Sequence, residues 1–345
     1  MNIAVDASYT LDRNLTGVGV YSRRVLSGLT QRHPEHKFLF CYRPHRFLPS
    51  LRERLPPNGS RALLRSGGIA PWRADLFHAL NQRIDRKPAR RAVSTFHDLF
   101  VLTEEFSSPD FCRRFAEQAR NAAAQSDLII AVSQFTADQV CHLLKVDSGR
   151  IRVIHHGVTP PPFSPPPDSG RENLILHVGA IQKRKNIARL VEAFERVPED
   201  WRLVLAGSAG FGAEEILSRI AHSPRRDAIE WLGYVDAERL EALYAKARVF
   251  AFPSLGEGFG IPVIEAMARG VPVMASEHPA LREVCASAAR YVNPGDVESI
   301  TEALIELCSS PSRREEYRRA GLERATLFSW DCAVQRTWDV YLELV

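Results

Sequence analysis

Short apolar stretches recur along the chain in two series. The first lies at 2–8, 37–42, 75–80, 91–98, 128–133 and 151–155, the second at 173–179, 201–206, 228–232, 248–253, 271–275 and 290–292. Mostly apolar stretches of this length predict strands buried on both faces. Between them the apolar positions take a helical period, as at 17–32, 109–125 and 135–144. Strand and helix in alternation predict a parallel sheet with right-handed crossovers, here built twice. The cluster PPPFSPPPDSG at 160–170 separates the two series. Proline fixes φ and lacks an N–H, so this segment reads as a semi-rigid linker. The expected domains are therefore 1–165 and 166–328. A closing helix (330–344, within 329–345) has no strand left to cross to and is expected to pack back on the first domain. In doubly wound sheets ligands bind beyond the carboxyl ends of the strands. With two such domains facing one cleft, the loops after the strands are where chemistry is sought.

Composition narrows the picture. The 345 residues are 45% apolar and 25% charged, enough for two cores and unlike a disordered chain. No run of eighteen apolar residues occurs, so no segment is expected to span a bilayer. The opening MNIAVDAS reads as a strand and not a secretory leader, which points to the cytoplasm. The six cysteines are too scattered for a metal or redox pair and are expected to be small buried groups. Charge is uneven. Residues 1–165 hold 23 Lys and Arg against 14 Asp and Glu, a net +9, and residues 166–345 hold 22 against 27, a net −5. The basic half suits a polyanion, an anionic lipid surface or a phosphorylated acceptor; ordinary solubility charge is the plain alternative.

The most informative segment is FPSLGEGFGIPVIEAMARG at 252–270. It leaves an apolar strand, turns through glycines and enters a helix with Pro262 in its first turn and Gly270 after its last. Gly258 and Gly260 allow close backbone approach, and amides at the helix start form an anion site. Glu257 lies in the loop and Glu265 one turn into the helix, so both can face one pocket.

This segment resembles the signature of the retaining family-4 glycosyltransferases of GT-B fold, in which two glutamates are separated by seven residues. The resemblance implies that Glu265 bonds the ribose hydroxyls of a nucleotide-diphosphate sugar. It implies that Glu257 contacts the donor sugar, and that the Phe259 and Gly260 amides, flanked by Gly258 and Ile261, meet the diphosphate. Turn amides hold phosphate oxygens without a metal.

Shorter motifs extend the likeness. HVGAIQKRKNI at 177–187 is similar to the family's strand-Gly-loop-Arg-Lys-Asn pattern, which puts Gly179, Arg184 and Lys185 at the leaving diphosphate and makes Asn186 a helix cap. Lys183 leaves that register open by one. TFHDL at 95–99 resembles a His-Asp-Leu branch in which His97 contacts donor sugar or acceptor hydroxyl and Asp98 holds its ring. His78 reads as structural. LTGVGVYSR at 15–23 resembles the Gly-rich first loop, with Gly17 and Gly19 close to donor phosphate or acceptor. LAG at 205–207 and LGYV at 232–235 match strand ends around the base, which adds Gly207, Tyr234 and Val235. AVSQFT at 131–136 is similar to a serine-capped helix, and VIHHGV at 153–158 to an asparagine-glycine turn in which His156 replaces the asparagine. EHPALRE at 277–283 departs from the family pattern.

The implied function is hexose transfer by front-side displacement in polysaccharide assembly, with catalysis carried by Glu257, His97, Asp98, Arg184 and Lys185. The branch favours mannose from GDP-mannose, with a UDP-hexose as the other donor. The acceptor is expected to be a glycan or lipid-linked saccharide, reached on the inner face of the plasma membrane. No Asp-x-Asp occurs, so neither a metal nor another cofactor is expected. No nucleic-acid partner is expected either. Two rival readings stand beside it: a sugar-nucleotide epimerase of the same fold, and a non-catalytic sugar-nucleotide binder.

Overall fold

The computed structural model describes residues 1–11, 16–65, 73–103, 106–162 and 164–345, and the backbone of 68–70. Leu15, at the head of the Gly-rich motif, and Phe163, inside the proline cluster, lie outside them. The chain divides into two compact units, Met1–Gly157 with Ser329–Val345, and Val158–Phe328. The boundary thus falls at 157/158 and not at 165. The proline segment belongs to the second unit because Arg314, itself buried, grips Asp168 with Nε at 2.8 Å and Nη2 at 2.7 Å.

The first unit runs β1 (Asn2–Asp6), α1 (Gly17–Arg32), β2 (Lys37–Tyr42), α2 (Pro44–Ser50), β3 (Gly59–Arg65), β4 (Gly68–Ala70), β5 (Leu76–Ala79), β6 (Arg91–Phe96), α3 (Pro109–Gln125), β7 (Leu128–Ala131), α4 (Gln134–Leu144) and β8 (Ile151–Val153). Its sheet has the order β4-β3-β2-β1-β5-β6-β7-β8, with only β4 antiparallel. Strands β3 and β4 were not expected from the apolar pattern. The strand period of two divides the core cleanly. Ile3, Val5, Phe38, Phe40 and Tyr42 face one apolar cluster, whereas Ala4, Leu39 and Cys41 face the other.

The second unit runs β9 (Glu172–Val178), α5 (Ile187–Phe194), β10 (Arg202–Ala206), α6 (Ala213–Ala221), β11 (Ile229–Trp231), α7 (Ala237–Lys246), β12 (Ala247–Phe252), α8 (Ile261–Ala268), β13 (Val273–Ser276), α9 (Pro279–Cys285), β14 (Ala289–Val292), α10 (Val297–Ser309) and α11 (Pro311–Ala325). Its six strands, ordered β11-β10-β9-β12-β13-β14, are all parallel and match the six apolar runs.

Helix α12 (Trp330–Leu342) is part of the first unit. It lies on α1 so tightly that a Cβ on Gly28 would sit 2.5 Å from Val334 Cγ2. Trp338 stacks on His33 with ring centroids 3.7 Å apart. Tyr341 reaches the sheet, where its hydroxyl shares a 2.6 Å hydrogen bond with His78 Nδ1. Among the cysteines, Cys41, Cys285 and Cys308 are buried as expected, but Cys112 and Cys141 are half-buried and Cys332 is exposed. No helix among the described residues is long and apolar enough to cross a membrane.

Candidate active site

Two loops at the carboxyl ends of adjacent strands build the site in the second unit. One follows β9 and carries Gly179, Arg184, Lys185 and Asn186; the other follows β12 and carries Glu257 to Gly260. They are laced together. The Leu255 amide donates to the Arg184 carbonyl at 2.8 Å, and the Arg184 guanidinium donates to the Gly256 carbonyl. Asn186 Nδ2 donates to the Pro253 carbonyl at 3.0 Å and to that of Pro294 at 2.8 Å. Asn186 therefore does not cap α5 with its side chain, as its position before the helix suggested. It takes a left-handed conformation at φ 61° and ties three loops together.

Glu257 is the centre of charge. Its Oε1 lies 3.0 Å from Arg184 Nη1 and 2.6 Å from Lys185 Nζ, with all three side chains nearly buried. Burial by itself would raise this carboxyl, but the two cations outweigh it and pull it down to about 2. It is thus ionised near pH 7, and the trio carries a net formal charge of +1. Lys185 Nζ also stands 4.5 Å over the Phe252 ring. Lys183 is turned away and pairs with Glu215 at 3.0 Å on the surface.

Helix α8 begins at Gly260, which adopts φ 97°; a Cβ there would meet Leu281 Cδ2 at 2.6 Å. Only glycine fits both the backbone and the space. Phe259 sends its ring into the core against Phe328, edge to face at 5.7 Å. Ile261 and Glu265 are half-buried. Glu265 Oε2 accepts the Tyr244 hydroxyl at 3.1 Å, and burial, helped by Glu265, raises that phenol well above its usual range. Strand ends supply the rest. A Cβ on Gly207 would lie 1.9 Å from the Gly179 carbonyl oxygen, so β9 and β10 approach through two glycines. Trp231 Nε1 donates to the Gly207 carbonyl at 2.8 Å, and Tyr234, after the Gly233 turn, is exposed. Val235 is half-buried beside it.

Three residues here went unread in the sequence. Tyr244 and Trp231 reach the site from a helix and an edge strand, where no motif marks them. His177 lies inside a motif, yet only packing reveals its environment. Its Nδ1–H donates to the Ala251 carbonyl at 2.9 Å, its ring stacks on Phe252, and burial lowers its pKa to about 4.

The remaining candidates belong to the first unit. His97 is buried and donates from Nε2–H to the Leu80 carbonyl at 2.9 Å. That carbonyl fixes the orientation of the ring from the Nε2 side. Burial pulls His97 down to about 4, so it is neutral near pH 7. It stacks on His156 at 5.4 Å and meets Tyr21 edge-on at 4.9 Å. Asp98 is half-buried. Gly17 and Gly19 are not in a loop but in the first turn of α1, Gly17 exposed and Gly19 buried. His78 is structural, bonded to Tyr341 on one side and to Thr95 Oγ1 at 2.9 Å on the other. Ser133 caps α4 by accepting from the Thr136 amide at 3.0 Å.

Comparison with known proteins gives this arrangement a lineage. Residues 163–324 match the family described as Glycosyl transferases group 1, and residues 15–160 match Glycosyltransferase Family 4. The O-antigen chain mannosyltransferase B of Escherichia coli is 31% identical over 281 residues, 77% of this chain and 74% of the relative. The O-antigen chain mannosyltransferase RfbU of Salmonella typhimurium is 32% identical over 224 residues, 64% of this chain and 62% of that one. Among solved structures, sucrose-phosphate synthase of Thermosynechococcus elongatus superposes with a TM-score of 0.80 at 20% identity, covering 100% of this chain and 99% of that one. Anabaena HepE in complex with UDP and glucose gives 0.76 at 16% identity, covering 99% and 100%. The doubled parallel-sheet build of these structures is the GT-B fold, and the chain belongs to the family-4 glycosyltransferases.

Proposed function

We propose that the chain is a retaining hexosyltransferase that moves mannose from GDP-mannose to a hydroxyl of a glycan or lipid-linked saccharide, without a metal. The observation that carries this reading is the Glu257–Arg184–Lys185 cluster with its net positive charge. When the donor's C1–O bond to the diphosphate breaks, the electron pair and the negative charge go to the leaving oxygen. Two fixed cations stabilise that charge as it develops. The acceptor oxygen bonds C1 on the face just vacated, and its proton passes to an oxygen of the departing diphosphate. Glu257, with Oε1 held by both cations, is a poor nucleophile and a poor acid; it orients the donor sugar. Glu265 accepts the ribose hydroxyls, with Tyr244 fixing one of its oxygens. Neutral His97 offers its Nδ1 lone pair to a donor or acceptor hydroxyl. Arg184 and Lys185 supply what a bridging metal otherwise would.

Mannose is favoured because the two bacterial relatives above are described as mannosyltransferases. A uridine donor is the second reading, supported by the fold's likeness to HepE with bound UDP. The basic first unit suits work at the cytoplasmic face of an anionic membrane; its binding to anionic vesicles should weaken as salt rises. The deciding experiment is calorimetry with GDP, UDP, GDP-mannose and UDP-glucose, with Mg²⁺ or EDTA, on wild type and Glu265→Ala. Metal-independent binding of one nucleotide, weakened by the substitution, supports the reading and names the base. Binding of none of them overturns the donor site.

A further inference from the structure

One motif of the second unit is absorbed neither by the family likeness nor by the donor chemistry. EHPALRE at 277–283 forms the turn after β13 and the start of α9. Strand β13 runs parallel to β12, with Ala275 opposite Phe252, so this turn leaves the sheet beside the loop that carries Glu257. The two segments are joined. Ser276 Oγ donates to the Ser254 carbonyl at 2.7 Å, and Leu281 closes over Gly260, where a Cβ would meet its Cδ2 at 2.6 Å. His278 is thereby fixed at the edge of the charge cluster.

Its tautomer is set locally. His278 Nδ1 accepts from the Ala280 amide at 3.3 Å, so in the neutral ring the proton sits on Nε2. The ring is half-buried, and it lies close enough to Glu257 and Arg184 for both charges to act on it. Burial lowers its pKa, Glu257 works against burial and Arg184 adds to it, so the ring is neutral near pH 7. These two groups face it from the loops after β12 and β9. On its own segment, Glu277 and Arg282 pair with each other at 3.2 Å. A diphosphate brings two negative charges to this cluster and reverses the balance, because an opposite charge close by favours the protonated ring.

We infer that His278 is a conditional cation of the donor site, one that takes up a proton as the diphosphate enters and donates Nε2–H to one of its oxygens. The proton comes from solvent and stays on the ring. The imidazolium then joins Arg184 and Lys185 around the group that leaves, and stabilises its charge as it develops. This inference rests on the donor reading above, and its test separates the two.

GDP-mannose and UDP-glucose carry no group that titrates near neutral pH, so a proton taken up on binding goes to the protein. Calorimetry on the full chain, in two buffers of unlike ionisation heat, counts that proton. Wild type should take up part of a proton near pH 6.5, and its affinity for the nucleotide sugar that binds should rise about threefold to tenfold from about pH 7.5 to about pH 6. His278→Asn keeps an acceptor where Nδ1 meets the Ala280 amide and has nothing in the place of Nε2. It should unfold at the temperature of wild type, lose the uptake and the rise with acid, and bind about tenfold more weakly at about pH 6, as expected for one hydrogen bond to a charged group. If it fails to fold, His278→Gln, an amide that does not titrate, takes its place and must lose the same uptake. Binding by wild type without proton uptake, or uptake that persists in the variant, overturns the inference. Arg184→Ala marks the donor site separately. Binding that falls in Arg184→Ala yet keeps its pH profile in His278→Asn sinks this inference alone, and binding of neither nucleotide sugar sinks the donor reading with it.

Discussion

The two units share one architecture, but the motif residues in each, His97 in the first and Glu257 in the second, hold charge in opposite ways. The first keeps histidines uncharged: burial lowers His78 to about 3, His97 to about 4, and His156 well below its usual value. Each gives up charge and retains hydrogen bonds or ring contacts. The second instead buries full charges and balances them, with Glu257 between Arg184 and Lys185. A neutral network answers to protons, whereas a paired-charge cluster answers to anions. The first unit should therefore respond to acid, and the second to diphosphate.

The strongest way to break this contrast is at the cations. Arg184→Ala and Lys185→Ala should each lower turnover by about 10²–10³, by analogy with removing one electrostatic donor. Sugar transfer assayed under donor saturation checks this, and a double variant with intact turnover would remove the diphosphate assignment. Next in size is Glu257→Gln. Removing the shared counter-ion leaves two buried cations facing each other, at a cost of about 3–5 kcal/mol. Thermal unfolding should show the loss, and a nucleoside diphosphate should restore more stability to the variant than it gives wild type. Equal stabilisation of both would mean the cations do not meet the diphosphate.

Acid sharpens the comparison. His78, His97 and His156 have folded pKa values below their unfolded values near 6.5, so the unfolded chain takes up protons first. Their stability contribution is full above pH 6.5 and falls as pH drops towards 4, by about 1.4 kcal/mol per pH unit for each histidine. In the second unit His177 and His278 are likewise lowered by burial, and the depressed Glu257 loses its contribution only as pH falls from about 4.5 towards about 2. Hydrogen exchange followed from pH 7 to pH 5 should open the first unit before the second; the reverse order would refute the assignment of charge states. The smallest effect is Tyr341→Phe. It removes the hydroxyl partner of His78 Nδ1 and should destabilise the first unit by about 1–3 kcal/mol, leaving nucleotide binding unchanged.

Much of the frame was legible because strands buried on both faces announce themselves as apolar runs. All six strands of the second unit were read this way. Strand β3 was missed because its sequence, GSRALLR, alternates buried Ala62 and Leu64 with half-buried and exposed residues, as an outlying strand does. The site motifs were legible as chemistry but not as geometry. Nothing local tells Lys183 to seek Glu215, or Lys185 to seek Glu257 72 residues away. Asn186 looked like a cap because caps are local, and its real partners at Pro253 and Pro294 come from the fold.

The position of α12 has a consequence for how the protein is made. The first unit begins the chain, yet Trp338, Tyr341 and Val334 belong to its apolar core. Domains ordinarily fold in the order of their synthesis. Here residues 1–157 leave the ribosome with one face of their sheet still lacking its cover, and wait through the making of all of the second unit. The contiguous 158–328 segment can close first. Translation therefore runs from the amino end while completion runs the other way, and a chain ended near residue 329 would carry a finished second unit beside an unfinished first.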